Sequence, residues 1–508
     1  MQHWRPRFSP DYAAVLRAYA LDGAAMLLLF FATALMVGRV WRFPFDDEIY
    51  TLSTIQHYSA PTLAFVYPGS ADVHPPLSYL MFQGLQQLGL SGPGMRLVSL
   101  AMTAVALALF HWLTFGLIAQ RNGVNAATRL VAVLLFGLCP LALSQGDALR
   151  WYPLFALLIA LFVTLYLAGG NNAARLWAAA ALGLAGSTNV LAGTVAAAFA
   201  IYRYGLERRW RAAFDLPFWG IAALCGSLGI YTVLSLLLAR TGEIGTQLGD
   251  GILRSALTDG LGFFGGAALG PSQAWIVIPA AAIAAMALLA AIDRKRPEAP
   301  AHLLLLMLGT AALTVLPGFD RPRSFLYLAP AVALLLTLFI DRQPREGRFG
   351  RALLFAVLLV AGNVAAIANI EHNTHPFKRA AVIPYQSILD FIDGNSVGRV
   401  LVLSTDPVVP WVLGKRHDGA PCTGEFLQAR ACLDAGQHYD SVFVIYGHSD
   451  KSNNAALMRR LSDLAGEATA GRRKVATFFA GRDEDAPLKS RLTGVALDKT
   501  LLTVDLYR

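Results

Sequence analysis

The chain reads as a polytopic, all-α membrane protein with a C-terminal α/β domain standing outside the bilayer. Three observations carry that reading. Of 508 residues, 56% are hydrophobic and only 15% charged, a ratio that soluble proteins of this size rarely reach. The apolar residues gather into about eleven stretches, most of them near the roughly 20 residues needed to cross the hydrocarbon core. After residue 371 the pattern changes to short strands alternating with amphipathic helices.

The expected spans lie near residues 24–41, 96–118, 128–145, 152–169, 176–189, 191–203, 215–239, 274–292, 301–317, 325–340 and 352–370. A basic start with Arg5, Arg7 and Arg17 leads into the first span. That span ends in "GRVW" without a small-x-small cleavage site, so it reads as a retained anchor. The pair at 176–203 is short, and "GSTN" (186–189) marks either a tight turn between two spans or a break within one longer helix.

Basic residues orient the spans. With the N-terminus in the cytoplasm, the inner segments hold Arg121, Arg129, Arg175, Arg203, Arg208, Arg209 and Arg211, and the runs "DRKRP" (293–297) and "DRQPREGR" (341–348). Fewer arginines, among them Arg96, Arg150, Arg240 and Arg254, fall to the outer loops, which also hold most of the loop acids. The bias favours eleven crossings in the plasma (inner) membrane, N-terminus cytoplasmic and C-terminal domain extracytoplasmic, or periplasmic. The domains are then a transmembrane part over 1–370 and an α/β part over 371–508.

Two outer loops are long. Residues 42–95 carry acids and a proline-marked helix start, whereas 240–273 is rich in glycine with a few apolar pairs. Loops of this length are uncommon unless functional, although a flexible connector explains 240–273 equally well. Past residue 371, "RVLVLS" (399–404), "SVFVIYG" (441–447), "KVATFFAG" (474–481) and "TLLTVDLYR" (500–508) have strand character, and "YQSILDFID" and "NAALMRRLSDLAGE" have helical spacing. Cys139 and Cys225 sit in apolar spans and read as core packing. Cys422 and Cys432 lie in the polar part, where export would let them pair.

A formal charge of +9 raises the question of nucleic acid, but the arginines sit in short loops between spans rather than along one face, and no nucleic-acid motif is present. Chemistry is better sought on the outer face. Asp46, Asp47 and Glu48 follow the first span in "FPFDDEIYT" (43–51), and Asp72 and His74 follow in "ADVHPPLSYL" (71–80). A solvated topology signal or helix cap is the competing reading. Against it, acids contribute little to topology, and crowded carboxylates raise one another's pKa and make a better base. His74 stands before two prolines that rigidify a helix starting at Leu77 or Ser78; alone, such a histidine is more often a structural hydrogen-bonder. "SQGDALRWYPL" (144–154) brings Gln145, Asp147, Arg150, Trp151 and Tyr152 to the same face. Arg150 either pairs with Asp147 or offers its fork to a phosphate. Arg321 and Arg323 in "GFDRPRSFLY" (318–327), with Lys378 and Arg379 beyond the last span, are either snorkelling cations or partners of the same anion. No P-loop, GxSxG, HExxH or metal-finger spacing appears.

The order of these motifs, "FDDEIYT", "HPPLSYL", "MRLVSLAM" (95–102), "SQGDALRWYPL" and "RPRSFLYLAP", resembles the GT-C fold glycosyltransferases of the protein O-mannosyltransferase and aminoarabinose (lipid A) transferase group. The resemblance covers roughly the first 380 residues. It implies an integral-membrane enzyme with a polyprenyl-phosphate-linked sugar as donor and a glycan, lipid or protein hydroxyl as acceptor. It further implies that the acid of the first outer loop is the catalytic base. Asp47 matches that position, with Glu48 beside it and Asp46 as an additional acid. Arg150 matches the arginine of the second motif, where Ala148 replaces the family's acid and Asp147 lies one residue earlier. In the late motif Arg323 is followed by Ser324 rather than an aromatic.

The expected mechanism is one inverting displacement, with Asp47 taking the proton of the acceptor hydroxyl as it attacks the anomeric carbon. Arg150, Arg323, Arg321 and Lys378 would hold the leaving polyprenyl phosphate, and Asp72, His74, Tyr152 and Gln145 the substrates. No cofactor is expected; a divalent ion, if used, would fall to Asp46, Asp47, Asp72 and His74. Partners are the lipid-linked donor, the acceptor and membrane lipids, with no nucleic acid. Two other functions remain open: a transporter or flippase of a lipid-linked intermediate, and a ligase or polymerase using a pyrophosphate donor. The first predicts ionisable groups at mid-membrane and paired repeats, and neither is seen in the sequence.

Overall fold

The computed structural model describes residues 46–66, 74–119, 145–168, 171–203, 215–239, 383–404, 408–416, 438–447, 455–482 and 500–508, with a few isolated positions besides. The spans expected at 24–41, 274–292, 301–317, 325–340 and 352–370, most of that at 128–145, the loop 240–273 and both Cys422 and Cys432 lie outside them. The chain divides into two compact units. One comprises Met1–Trp41 and Thr51–Ala368, the other Arg42–Tyr50 and Asn369–Arg508. The division therefore runs through a helix, α1 (Asp46–His57), as well as falling near residue 370.

Helix α1, whose first five residues belong to the second unit and the rest to the first, suits its own dipole. Its first turn holds the three acids, and its last holds His57, whose Nδ1 donates to the Ser53 carbonyl at 2.8 Å. A short helix α2 (Ala60–Phe65) follows, capped by the Ser59 hydroxyl and started by a proline. Helix α3 (Leu77–Gln87) begins where "HPPL" predicts. Its buried Gln83 donates to the carbonyls of Ile55 at 3.1 Å and Tyr58 at 2.7 Å, satisfying acceptors that the end of α1 leaves over.

Helix α4 (Gly92–Ala119) has 28 residues, roughly 42 Å at 1.5 Å per residue, and its stretch Gly92–Trp112 is long and apolar enough to cross a membrane. Helix α5 (Trp151–Ala168) packs against α4 and against α6 (Asn172–Thr188). The Asn171 side chain caps α6, accepting from the Ala174 amide at 2.8 Å. The chain breaks at 189–191 before α7 (Ala192–Ile201), so "GSTN" does interrupt the helix.

The apolar stretch 215–239 is not one straight span. It forms α8 (Leu216–Cys225) and α9 (Ser227–Ala239), bent by 66° at Gly226. The backbone explains how this is tolerated. In an uninterrupted helix the Cys225 carbonyl would accept from the Gly229 amide; here it accepts from the Ser187 hydroxyl of α6 at 2.8 Å. Glycines permit the approach. A Cβ on Gly183 would collide with the Ala222 carbonyl, and one on Gly229 with the Gly186 carbonyl. At the other end of the pair Arg175 binds Asp215 at 2.9 Å, and Asp215 also caps α8 through the Phe218 amide at 3.3 Å.

The second unit is built on a four-stranded sheet, order β1-β2-β4-β3, from β1 (Val400–Ser404), β2 (Ser441–Gly447), β3 (Lys474–Arg482) and β4 (Thr500–Tyr507). β1 and β2 are parallel, whereas β4 runs antiparallel to both β2 and β3. Helices α10 (Tyr385–Asn395) and α11 (Val408–Arg416) cover one face through Ile388, Leu389, Ile392, Val409 and Leu413, packed on Val402, Phe443, Val504 and Leu506. Ile49 joins this same core. Helix α12 (Ala455–Ala468) lays Leu461, Leu464 and Ala465 on the opposite face over Leu401, Leu403, Val442 and Val444. Strands and helices lie where the sequence pattern puts them, because each face of the sheet buries one parity of the alternation.

Candidate active site

The segment Gln145–Arg150 joins the end of one apolar stretch to the start of α5, yet all six of its residues are buried. A buried loop must have its backbone polar groups satisfied. Here the Ala148 amide turns back to the Gln145 carbonyl at 3.1 Å, and Thr103 of α4 donates to the Gly146 carbonyl at 2.8 Å. The turn thus delivers Arg150 to the mouth of α5, where the residue as a whole is 8% exposed. Its Nη1 donates to the Tyr79 hydroxyl of α3 at 3.3 Å and lies 3.5 Å from the Thr51 hydroxyl of α1.

Two hydroxyls thus orient the planar fork, the geometry that suits an arginine to an anion. Beside it Trp151, the first residue of α5, stacks among three rings: His74 at 5.8 Å between centroids, Tyr152 at 4.3 Å and Phe155 at 5.5 Å. His74, just ahead of α3, and the start of α5 are thereby brought together.

Of the residues singled out in the sequence, His74, Gln145, Arg150 and Tyr152 all fall in this region of the first unit, and Gln145 and Tyr152 are buried. Glu48 is fully buried in the first turn of α1. Asp46 and Asp47 stand in the same turn of the backbone, their side chains lying outside the described residues, as do Asp72, Arg321, Arg323 and Lys378 altogether. Three of the four residues offered for a divalent ion are in that group; among the described residues no cluster of metal-ligating side chains occurs. Arg96, counted in the sequence as an outer-loop charge, is buried near the start of α4. Trp151 was placed on the outer face by the sequence but given no role, and Thr51 and Tyr79 were not selected. Thr51 closes the opening acid motif and Tyr79 lies within "HPPLSYL", so both sat inside motifs already marked; as neutral side chains they gave no charge signal.

Over nearly its whole length the chain shares its fold with a solved membrane-protein structure. Among solved structures, ArnT from Cupriavidus metallidurans in the apo state covers 97% of this chain and 98% of its own, with a TM-score of 0.53 at 13% identity. The same ArnT bound to undecaprenyl phosphate covers 96% and 97%, with a TM-score of 0.51 at 12% identity. An oligosaccharyltransferase from Archaeoglobus fulgidus overlaps 87% of this chain and 70% of its own, with a TM-score of 0.48 at 13% identity. No family model and no curated protein sequence matches the chain.

Proposed function

We propose that this chain is a membrane glycosyltransferase that moves a sugar from a polyprenyl-phosphate donor to an acceptor hydroxyl on the outer face of the membrane. The observation that carries the proposal is Arg150: a buried guanidinium braced by Tyr79 and Thr51, in a chain sharing the fold of a protein that binds undecaprenyl phosphate. Its role is to hold the phosphate of the donor and stabilise the charge that develops on it as it leaves. Arg321, Arg323 and Lys378 are assigned the same task by the motif order.

Asp47 is the base. The motif order assigns it that role, and it lies in the first turn of α1. In the reaction the acceptor oxygen forms a bond to the anomeric carbon and its proton passes to the Asp47 carboxylate. The bond from that carbon to the phosphate oxygen breaks, and the electron pair leaves on the polyprenyl phosphate, giving inversion. Glu48 supports the base, and Asp72, His74, Gln145 and Tyr152 line the substrates. The proposal includes eleven spans, a cytoplasmic N-terminus and an extracytoplasmic α/β domain. Lipids and glycans from cells with and without the gene, compared by mass spectrometry, test it. One missing sugar together with an accumulating polyprenyl-phosphate sugar is expected; identical profiles would overturn it.

A further inference from the structure

The indole of Trp151 is 4% exposed, and its Nε1 has no hydrogen-bond partner among the described residues. Buried indole N–H groups usually find an acceptor, and one left without costs roughly 1–3 kcal/mol. The Trp151 Nε1 is one of several buried polar atoms in this condition; unlike the Ser99 and Thr164 hydroxyls, whose hydrogens rotate to suit their surroundings, the indole N–H is fixed in the plane of its ring. That ring is held by His74, Tyr152 and Phe155. It has little freedom to turn the donor elsewhere. Trp151 also follows Arg150 directly and opens an 18-residue helix, whose positive dipole end favours an anion.

We infer that Trp151 is a ligand-binding residue whose Nε1–H donates to a phosphate oxygen of the lipid-linked donor, beside the guanidinium of Arg150. The inference rests on the donor-site reading above and adds a neutral, directional donor to it. The arginine supplies charge; the indole supplies one fixed bond, which selects the orientation of the phosphate.

The test uses the full chain in nanodiscs with undecaprenyl phosphate as probe. Trp151→Phe removes the donor and keeps an aromatic ring. Replacing Trp151 alone by 3-benzothienylalanine keeps the bicyclic shape and puts sulfur in place of N–H, so it tests the donor even where the smaller ring fails to fold. Both are expected to weaken binding about 10- to 100-fold, the range for a hydrogen bond to a charged group. Affinity within twofold of the native chain in the benzothienyl protein would overturn the inference and leave the Nε1 site to a buried water only. Arg150→Ala separates the two levels: if it too leaves binding unchanged, the donor-site reading fails; if it alone weakens binding, only the role of Trp151 fails.

Discussion

The Arg150 guanidinium and the Tyr79 phenol meet at 3.3 Å although 71 residues separate them in sequence. The contact ties the turn before α5 to α3. A lysine at 150 would keep the charge but lose the planar fork and its brace. Arg150→Lys is therefore expected to weaken undecaprenyl phosphate binding nearly as much as Arg150→Ala, by about 10- to 100-fold. Titration by native mass spectrometry measures both. Affinity fully retained by the lysine variant would show that charge alone suffices.

Positioned general bases contribute about 10²- to 10⁴-fold. Asp47→Asn should reduce transfer by that range while donor binding stays near native, and Asp46→Asn should do far less. The reverse order would move the base to Asp46. Transfer should also survive EDTA; its loss on chelation would bring Asp46, Asp47, Asp72 and His74 in as metal ligands.

Two glycines of the bent pair serve as a control on each other. A Cβ at Gly229 collides with the Gly186 carbonyl, whereas at Gly220 nothing lies within 4 Å. Gly229→Ala is expected to destabilise the chain by about 1–3 kcal/mol through forced separation of α6 and α9. Gly220→Ala should be neutral or slightly stabilising, since alanine favours a helix. Thermal melts in detergent compare them directly; equal melting points would mean that the crossing relaxes freely.

On β2 of the α/β unit, burial first and then the neighbouring Tyr507 and Asp505 push the Tyr446 phenol up to about 12. The folded chain then keeps a proton that the unfolded chain releases near its ordinary value of 10. Between these values the unfolded state binds fewer protons, so stability falls as pH rises, and it is fully present below pH 10. Tyr446→Phe should flatten that alkaline decline, read as resistance of the C-terminal unit to limited proteolysis across the same pH range. An unchanged profile would place the alkaline transition elsewhere.

Much of the fold was legible because burial imposes a period. The four strands and α10 and α12 follow alternation and helical spacing, and "HPPL" fixes the start of α3 through proline geometry. The bend in 215–239 was not legible, because hydropathy counts side chains and the bend belongs to the backbone. Nothing in a run of apolar residues announces that Ser187, 38 residues upstream, accepts the task of binding the Cys225 carbonyl. In the candidate site, charge marked Arg150 and the acids in the sequence, whereas the neutral Thr51, Tyr79 and Trp151 stand out only through the contacts that long-range folding gives them.

The Ser187 bond also makes one break in the backbone depend on a distant side chain. In a helix without a bend the Cys225 carbonyl would be closed by the Gly229 amide; here its partner is a hydroxyl 38 residues upstream. The bend between α8 and α9 and the seating of α6 beside it are therefore one decision of the fold rather than two.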